Sequence, residues 1–313
     1  MKNNKRKPLY HFLAPSDWPI WFILFLLRVN SAFPYLRQIK HGKFLGRIGH
    51  KLLSKRRAIT RRNLSLAFPE LSINARNNLA LKHFEAMGVS LVELGLSRWA
   101  SKKMLLENST WEGKEYVEEA LNTGRGIILL SAHFTSLEIS GRILRYNFPD
   151  FDVVYRPNRN VFINEILRST REIYARTAIE KRDIKSMIRS LKNGGTVWYA
   201  PDQSYNRKQS EILPFFNIPA MTNTATSTIA KIGNAIVLPF FPRRLPEGGY
   251  ILKFLPIMNN FPSGDSKEDT KKYIKILEEE IRLCPEQYYW IHRKYKNLPS
   301  DYEDYYKDLD AWE

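Results

Sequence analysis

Residues 126–138 read GIILLSAHFTSLE. Gly126–Ser131 is a continuous apolar run entered through a glycine, and it follows a short helical stretch, Tyr116–Leu121, that closes at Gly124. A half-exposed strand would alternate; an unbroken run of this length fits a strand buried on both faces. The same texture returns at Phe151–Arg156, Thr196–Ala200, Ala235–Phe241 and Tyr250–Leu255. Helical stretches separate several of these, at Leu137–Tyr146, Phe162–Tyr174, Ile184–Leu191 and Thr222–Ile232. This alternation predicts an α/β fold with a central mixed sheet flanked by helices. Upstream, Ile73, Leu79, Phe84, Met87, Leu91, Leu94 and Trp99 suit one long amphipathic helix over Ser72–Trp99, and Asp265–Arg282 reads as a late one. The tail, Asp301–Glu313, is polar and acidic and is expected to be loose. With no repeat and no Gly/Ser linker, the chain divides only into an N-terminal segment, 1–62, and one α/β domain, 63–313.

The net charge is +17, and its location matters more than its size. Residues 1–62 hold fifteen Lys and Arg against one acid, Asp17, whereas the remainder holds 34 basic and 31 acidic residues. The excess therefore belongs to the N-terminal segment, where it attracts something anionic, nucleic acid or a membrane surface. Trp18–Leu27, WPIWFILFLL, favours the membrane, because tryptophan prefers the water–lipid boundary. Extending the run to Leu36 brings in Arg28, Asn30, Ser31 and Pro34, so it falls short of the roughly 20 apolar residues of a clean span. Residues 18–36 are expected to be a weak single span or an interfacial anchor. A cleaved leader ending near Asn30-Ser31-Ala32 and an ordinary buried helix are the alternatives. Residues 41–62 place bases beside Phe44, Leu45, Ile48, Leu52 and Leu53 at helical spacing, as a helix lying on a membrane would. A nucleic-acid partner is disfavoured, since the bases are not interleaved with stacking aromatics along a sheet. The single cysteine, Cys284, rules out an internal disulfide and agrees with a domain facing the cytosol.

Several site patterns are absent from the sequence: a G-x-S-x-G elbow, a Walker phosphate loop and G-x-G-x-x-G. Six histidines and one cysteine give no zinc spacing, so neither an acyl-enzyme nor a metal is implied, and no cofactor is expected. What remains is SAHFTSLE, 131–138. His133 follows the apolar strand and Glu138 falls where a helix begins, the place at which α/β sheets present ligands. A carboxylate there could fix the His133 tautomer and stabilise its imidazolium while the ring takes a proton from an alcohol. With no nucleophile motif, the attacking group would be the substrate's own hydroxyl. Equally, Thr135-Ser136-Leu137-Glu138 reads as a capping box, with His133 satisfied by backbone. Tyr155-Arg156-Pro157-Asn158 closes the next strand, with Arg159, Arg168, Arg171 and Arg176 following on or near a helix, and such forks match phosphate or carboxylate oxygens unless they merely face solvent. Tyr199–Ser204 closes another strand in a Pro-Asp turn, and Pro285–Arg293 is a dense aromatic–basic cluster.

In their order and spacing these segments resemble the late (secondary) acyltransferases of bacterial lipid A biosynthesis, of the lauroyl type. The resemblance covers nearly the whole chain: the apolar anchor, Arg62-Asn63-Leu64 with Phe68-Pro69-Glu70, His133…Glu138, YRPN at 155–158, WYAPD at 198–202, LPFF at 213–216 and PEQYYWIHR at 285–293. It implies a glycerol-phosphate-acyltransferase-like fold with an N-terminal helical membrane anchor. It further implies His133 as general base with Glu138 as its orienting partner, and Arg171 or Arg156 holding the thioester oxygen. Asp202 matches one acid of the family's P-D-x-D turn. The implied donor is an acyl-acyl carrier protein, the acceptor a 3-hydroxyacyl hydroxyl of a lipid A precursor, and the location the bacterial inner membrane with the catalytic domain on the cytoplasmic side. Ser204 stands where the family usually has a second acid and Asn206 where a glycine is common, which puts the 202–206 turn in question. The alternatives are a lysophospholipid acceptor, or a non-catalytic basic protein binding membrane or nucleic acid.

Overall fold

The computed structural model describes residues 7–312; residues 1–6, with Lys2, Lys5 and Arg6 of the basic block, and Glu313 lie outside the described residues. The chain begins with helices α1 (Trp18–Asn30), α2 (Tyr35–Leu52), α3 (Ser54–Ala67), α4 (Ile73–Trp99) and α5 (Lys102–Glu107). The expected long helix is α4, started by Ser72, whose hydroxyl accepts the Ala75 N–H at 3.2 Å and so satisfies a first-turn donor. Residues 41–62 do not form one helix: the chain turns at Leu53 between α2 and α3. α2 lies against α4 at backbone contact through Gly42, Gly46 and Gly88. A Cβ at Gly46 would strike the Phe84 carbonyl, and one at Gly88 the Gly42 carbonyl.

Strand β1 (Ser109–Glu112) and helix α6 (Lys114–Asn122) then lead into the alternating part. This comprises β2 (Gly126–Leu130), α7 (Leu137–Leu144), β3 (Phe151–Tyr155), α8 (Val161–Arg171), β4 (Thr177–Glu180), α9 (Ile184–Lys192) and β5 (Thr196–Tyr199). A hairpin of β6 (Ser210–Phe215) and β7 (Ile218–Asn223) follows, then α10 (Ala225–Gly233), β8 (Ala235–Arg244), β9 (Tyr250–Phe254) and α11 (Ser266–Leu283). Seven strands form one sheet in the order β1-β9-β8-β2-β5-β3-β4. All neighbours are parallel except β8 and β9, so the sheet is mixed as expected. Central β2 is buried at every position, and its side chains alternate between two cores: Ile128 and Leu130 on one face, Ile127 and Leu129 on the other. That two-sided burial is what the unbroken apolar run encodes.

Two expectations are corrected. The tail is not loose: Tyr306 is 2% exposed and its hydroxyl bonds Asn63 Oδ1 at 2.5 Å, while Tyr305 and Leu309 are also buried. Among the described residues no helix is long and apolar enough to cross a membrane, so the spanning form of the anchor falls away. The apolar run instead builds the 13-residue α1, in which Leu27 is buried while Trp18, Phe22 and Phe25 are each about 60% exposed. Phe44 and Leu52 of α2 are likewise exposed.

Candidate active site

β2 and β5 are parallel neighbours, with Leu130 opposite Tyr199. Three residues beyond each end stand His133 and Asp202. The strand register therefore brings together two side chains 69 positions apart: His133 Nδ1 and its main-chain N–H both donate to Asp202 Oδ1, at 2.6 and 3.2 Å. The carboxylate side chain is 1% exposed and the imidazole 36%. A buried acceptor fixes Nδ1 as the protonated nitrogen and leaves Nε2 as the lone-pair nitrogen, the arrangement of a general base. Burial alone would raise the Asp202 carboxyl; the His133 ring, with Lys294 behind it, reverses this and brings it down to about 2.

Glu138 is in the first turn of α7, as expected, yet it bonds Arg171 and Tyr174 rather than His133. Its carboxylate takes the Arg171 guanidinium in a fork and accepts the Tyr174 hydroxyl at 2.8 Å. Burial works against the charge of Arg171, and Glu138 beside it overcomes that and holds it protonated. The guanidinium also lies over the Tyr155 ring, 5.6 Å from its centroid. The capping-box alternative fares no better: Thr135 gives its N–H to the Gln287 carbonyl, and the Glu138 carboxylate is turned to Arg171 and Tyr174 rather than back to Thr135. Of the five residues singled out, His133 and Asp202 form one unit and Glu138 and Arg171 another, while Arg156 is exposed at the end of β3.

The segment after α11 straps this loop region. Phe134 and Tyr288 form an antiparallel bridge; Tyr289 N–H donates to the His133 carbonyl at 3.0 Å and Thr135 N–H to the Gln287 carbonyl at 2.8 Å. The Asp202 turn is strapped by the same segment. Ser204 Oγ donates to the Lys296 carbonyl and accepts from Asn297 Nδ2, both at 2.9 Å, and Lys294 Nζ donates to the Asp202 carbonyl at 2.5 Å. Ser204 is thus a turn-fixing residue here, which accounts for a hydroxyl at that position. A buried ion pair supports the loop from below. Arg244 at the end of β8 grips Glu93 of α4 with Nε and Nη2, at 2.5 and 2.9 Å, and reaches Thr135 Oγ1 with Nη1 at 3.1 Å.

Sequence reasoning missed Lys294, Tyr174, Glu93 and Arg244. Lys294 had a signal: a lysine one residue beyond the aromatic cluster and directly before Tyr295 is poorly placed to be solvated. Among the described residues no three His, Cys, Asp or Glu side chains gather as a metal ion would require.

A family profile for bacterial lipid A biosynthesis acyltransferases matches residues 5–297. The chain is 33% identical to a lipid A biosynthesis lauroyltransferase of Escherichia coli over 92% of its own length and 94% of the relative's. It is also 33% identical to a lipid A biosynthesis acyltransferase of Haemophilus influenzae, over 96% and 98% of the two chains. A lipid A biosynthesis palmitoleoyltransferase of E. coli is 31% identical over 92% and 94%. An α/β chain with these matches over nearly its full length belongs to the bacterial lipid A biosynthesis acyltransferase family.

Proposed function

We propose that this acyltransferase moves a fatty acyl chain from an acyl carrier protein thioester to the hydroxyl of a 3-hydroxyacyl chain on a lipid A precursor, with His133 as general base. The observation that carries this reading is the half-exposed His133 ring held through Nδ1 by buried Asp202, with Nε2 left for a substrate. Nε2 removes the hydroxyl proton as the oxygen attacks the thioester carbonyl. The carbon–sulfur bond then breaks, and the thiol leaves with the proton taken from the imidazolium. Asp202 stabilises that imidazolium in the role first expected of Glu138. Glu138 holds Arg171, whose charge suits the oxygen that becomes negative in the tetrahedral intermediate; one such donor typically contributes about 10²–10³ in rate. Arg156, exposed nearby, is the second candidate for that oxygen or for acceptor phosphate.

The test is transfer by detergent-solubilised protein from a labelled medium-chain acyl carrier protein to a lipid A precursor, run beside acyl-coenzyme A as donor and a lysophospholipid as acceptor. Product from the first pair alone supports the reading. Product from the lysophospholipid alone replaces the acceptor, and preference for the coenzyme A donor replaces the donor.

We propose that the enzyme works on the cytoplasmic face of the bacterial inner membrane, lying on the bilayer. Trp18, Phe22 and Phe25 follow one another at helical spacing on the exposed face of α1, next to a strongly basic segment. Aromatic insertion and cation–lipid attraction act together in such a segment. Replacing all three with aspartate is expected to weaken binding to vesicles containing anionic lipid about a hundredfold or more, since each buried aromatic is worth about 1.5–3 kcal/mol. Sedimentation with vesicles reads this, and undiminished binding would remove α1 from the membrane face.

A further inference from the structure

Lys294 is 3% exposed, deep for a lysine. Its Nζ donates to the Asp202 main-chain carbonyl at 2.5 Å and sits 4.5 Å from the centroid of the Phe215 ring. A buried ammonium carries a desolvation cost that an apolar side chain of the same volume would not. It is kept where two carboxylates face it, Asp202 at the β5 turn and Glu278 on α11. Burial pulls Lys294 down to about 8 while these carboxylates hold it up, so it carries its charge at neutral pH.

We propose that Lys294 is a positioning residue for the His133–Asp202 pair, its ammonium pinning the Asp202 turn and supplying the counter-charge that lets the carboxylate stay ionised beneath a neutral imidazole. The inference rests on the reading of His133 as the base. A buried carboxylate needs a cation. The His133 ring is the larger support of the ionised carboxylate and Lys294 the next, and as imidazolium the ring accepts no proton. Lys294, whose Nζ bonds the Asp202 main-chain carbonyl, brings a second cation to the same residue. The other groups around the pair do not substitute for it. Tyr199 on β5, Tyr273 on α11, and Tyr288 and Tyr289 on the strap are phenols that burial pushes upward and keeps neutral. His292 is pulled down to about 4, first by burial and then by Lys296 and Lys294. Glu278 accepts the Phe216 N–H at 2.6 Å and is raised by burial. Lys296 is only half-buried, and its own charge is opposed first by burial and then by Arg156, Arg293 and Arg56.

The test compares Lys294→Gln, which can still donate to the Asp202 carbonyl but has no charge, with Lys294→Met, which does neither. In protein labelled with carbon-13 at histidine Cε1, the His133 signal is assigned by its absence from His133→Asn and followed against pH. Both variants are expected to move the His133 midpoint upward, since a neighbouring cation that disfavoured imidazolium has gone. The acid limb of kcat/KM for transfer should move by the same amount, whereas a merely structural lysine would lower the rate evenly at every pH. An unmoved midpoint in folded Lys294→Gln would overturn the proposal. So would failure of both variants to fold, because the lysine would then be a requirement of the core. The titration needs no turnover, so a wild-type enzyme that transferred no acyl chain would refute the proposed function and leave this result standing.

Discussion

Asp202→Asn is expected to lower kcat about a hundredfold with KM little changed, and His133→Ala to lower it further, within the ~10²–10⁴ that a general base typically contributes. The two effects should not multiply. Both N–H groups of His133 that reach Asp202 end on the same oxygen, Oδ1. An asparagine can keep its carbonyl oxygen there, hold the same tautomer and lose only the negative charge. What disappears is stabilisation of the imidazolium formed as the hydroxyl is deprotonated. In a protein that already lacks the imidazole, removing that charge changes nothing further in the chemistry, so the double variant should be no slower than His133→Ala alone. Glu138 gives the contrasting result. Its carboxylate is engaged with Arg171 and Tyr174, so the loss from Glu138→Gln should combine multiplicatively with any residual activity change at His133. Single-turnover rates for the four proteins of each cycle decide between the partners. Additivity for His133 with Asp202, and coupling for His133 with Glu138, would return the orienting role to Glu138. Melting curves belong beside the rates, because Lys294 loses a counter-charge in Asp202→Asn.

Glu138 is the legible partner of His133, and Asp202 the hidden one, because of distance along the chain. His133 and Glu138 are five residues apart and read as one motif; Asp202 is 69 residues away, and only the pairing of β2 with β5 in a given register makes it a neighbour. Sequence periodicity shows that a strand exists and which faces it buries, but it carries no information about which strand lies beside it. The same limit explains the elements that were missed. β2, β3, β5, β8 and β9 were legible because burial on both faces leaves long apolar runs. β1 and β4 are four residues each at the two edges of the sheet, half-exposed, with sequences STWE and TAIE that carry no such run. The β6–β7 hairpin turns through Phe216 and Asn217, both at positive φ, without the glycine that usually marks a tight turn. Its second strand, IPAMTN, ran into the start of α10, and the expected helix began three residues early, at Thr222 rather than Ala225. The tail misled by composition: Asp301, Glu303, Asp304 and Asp308 face solvent, but Tyr305, Tyr306 and Leu309 among them are buried against α3 and the strap. In the N-terminal segment the apolar run and the basic flank were legible, but the sequence left a weak span and an interfacial helix both open, and the break at Leu53 between α2 and α3 carried no signal.

Glu93→Ala is expected to destabilise the protein by about 3–5 kcal/mol, the usual result of leaving one member of a buried ion pair alone. Glu93 is 1% exposed and Arg244 is nearly as deep, its charge opposed by burial and held by Glu93. The carboxylate also accepts the Tyr250 hydroxyl at 2.8 Å, so its removal orphans a phenol as well as a guanidinium. Activity should fall beyond what the lost folded fraction explains, because Arg244 connects this pair to the loop that carries His133. Its third nitrogen holds Thr135, two residues from His133, and its main chain exchanges two bonds with the Gln287 side chain, at 2.8 and 2.9 Å, while the Gln287 carbonyl takes the Thr135 N–H. The double replacement Glu93→Leu with Arg244→Met separates the two roles. Apolar side chains of similar volume remove both charges together and should recover most of the melting temperature, since a buried pair gains little over well-packed hydrophobes. They do not restore a donor to Thr135, so transfer should remain depressed, with the deficit in kcat rather than in the binding of either substrate. Recovery of both stability and rate in the double variant would mean that the ion pair serves the fold alone. Recovery of stability without rate would place it in the chain of contacts that aims His133 at the acceptor hydroxyl.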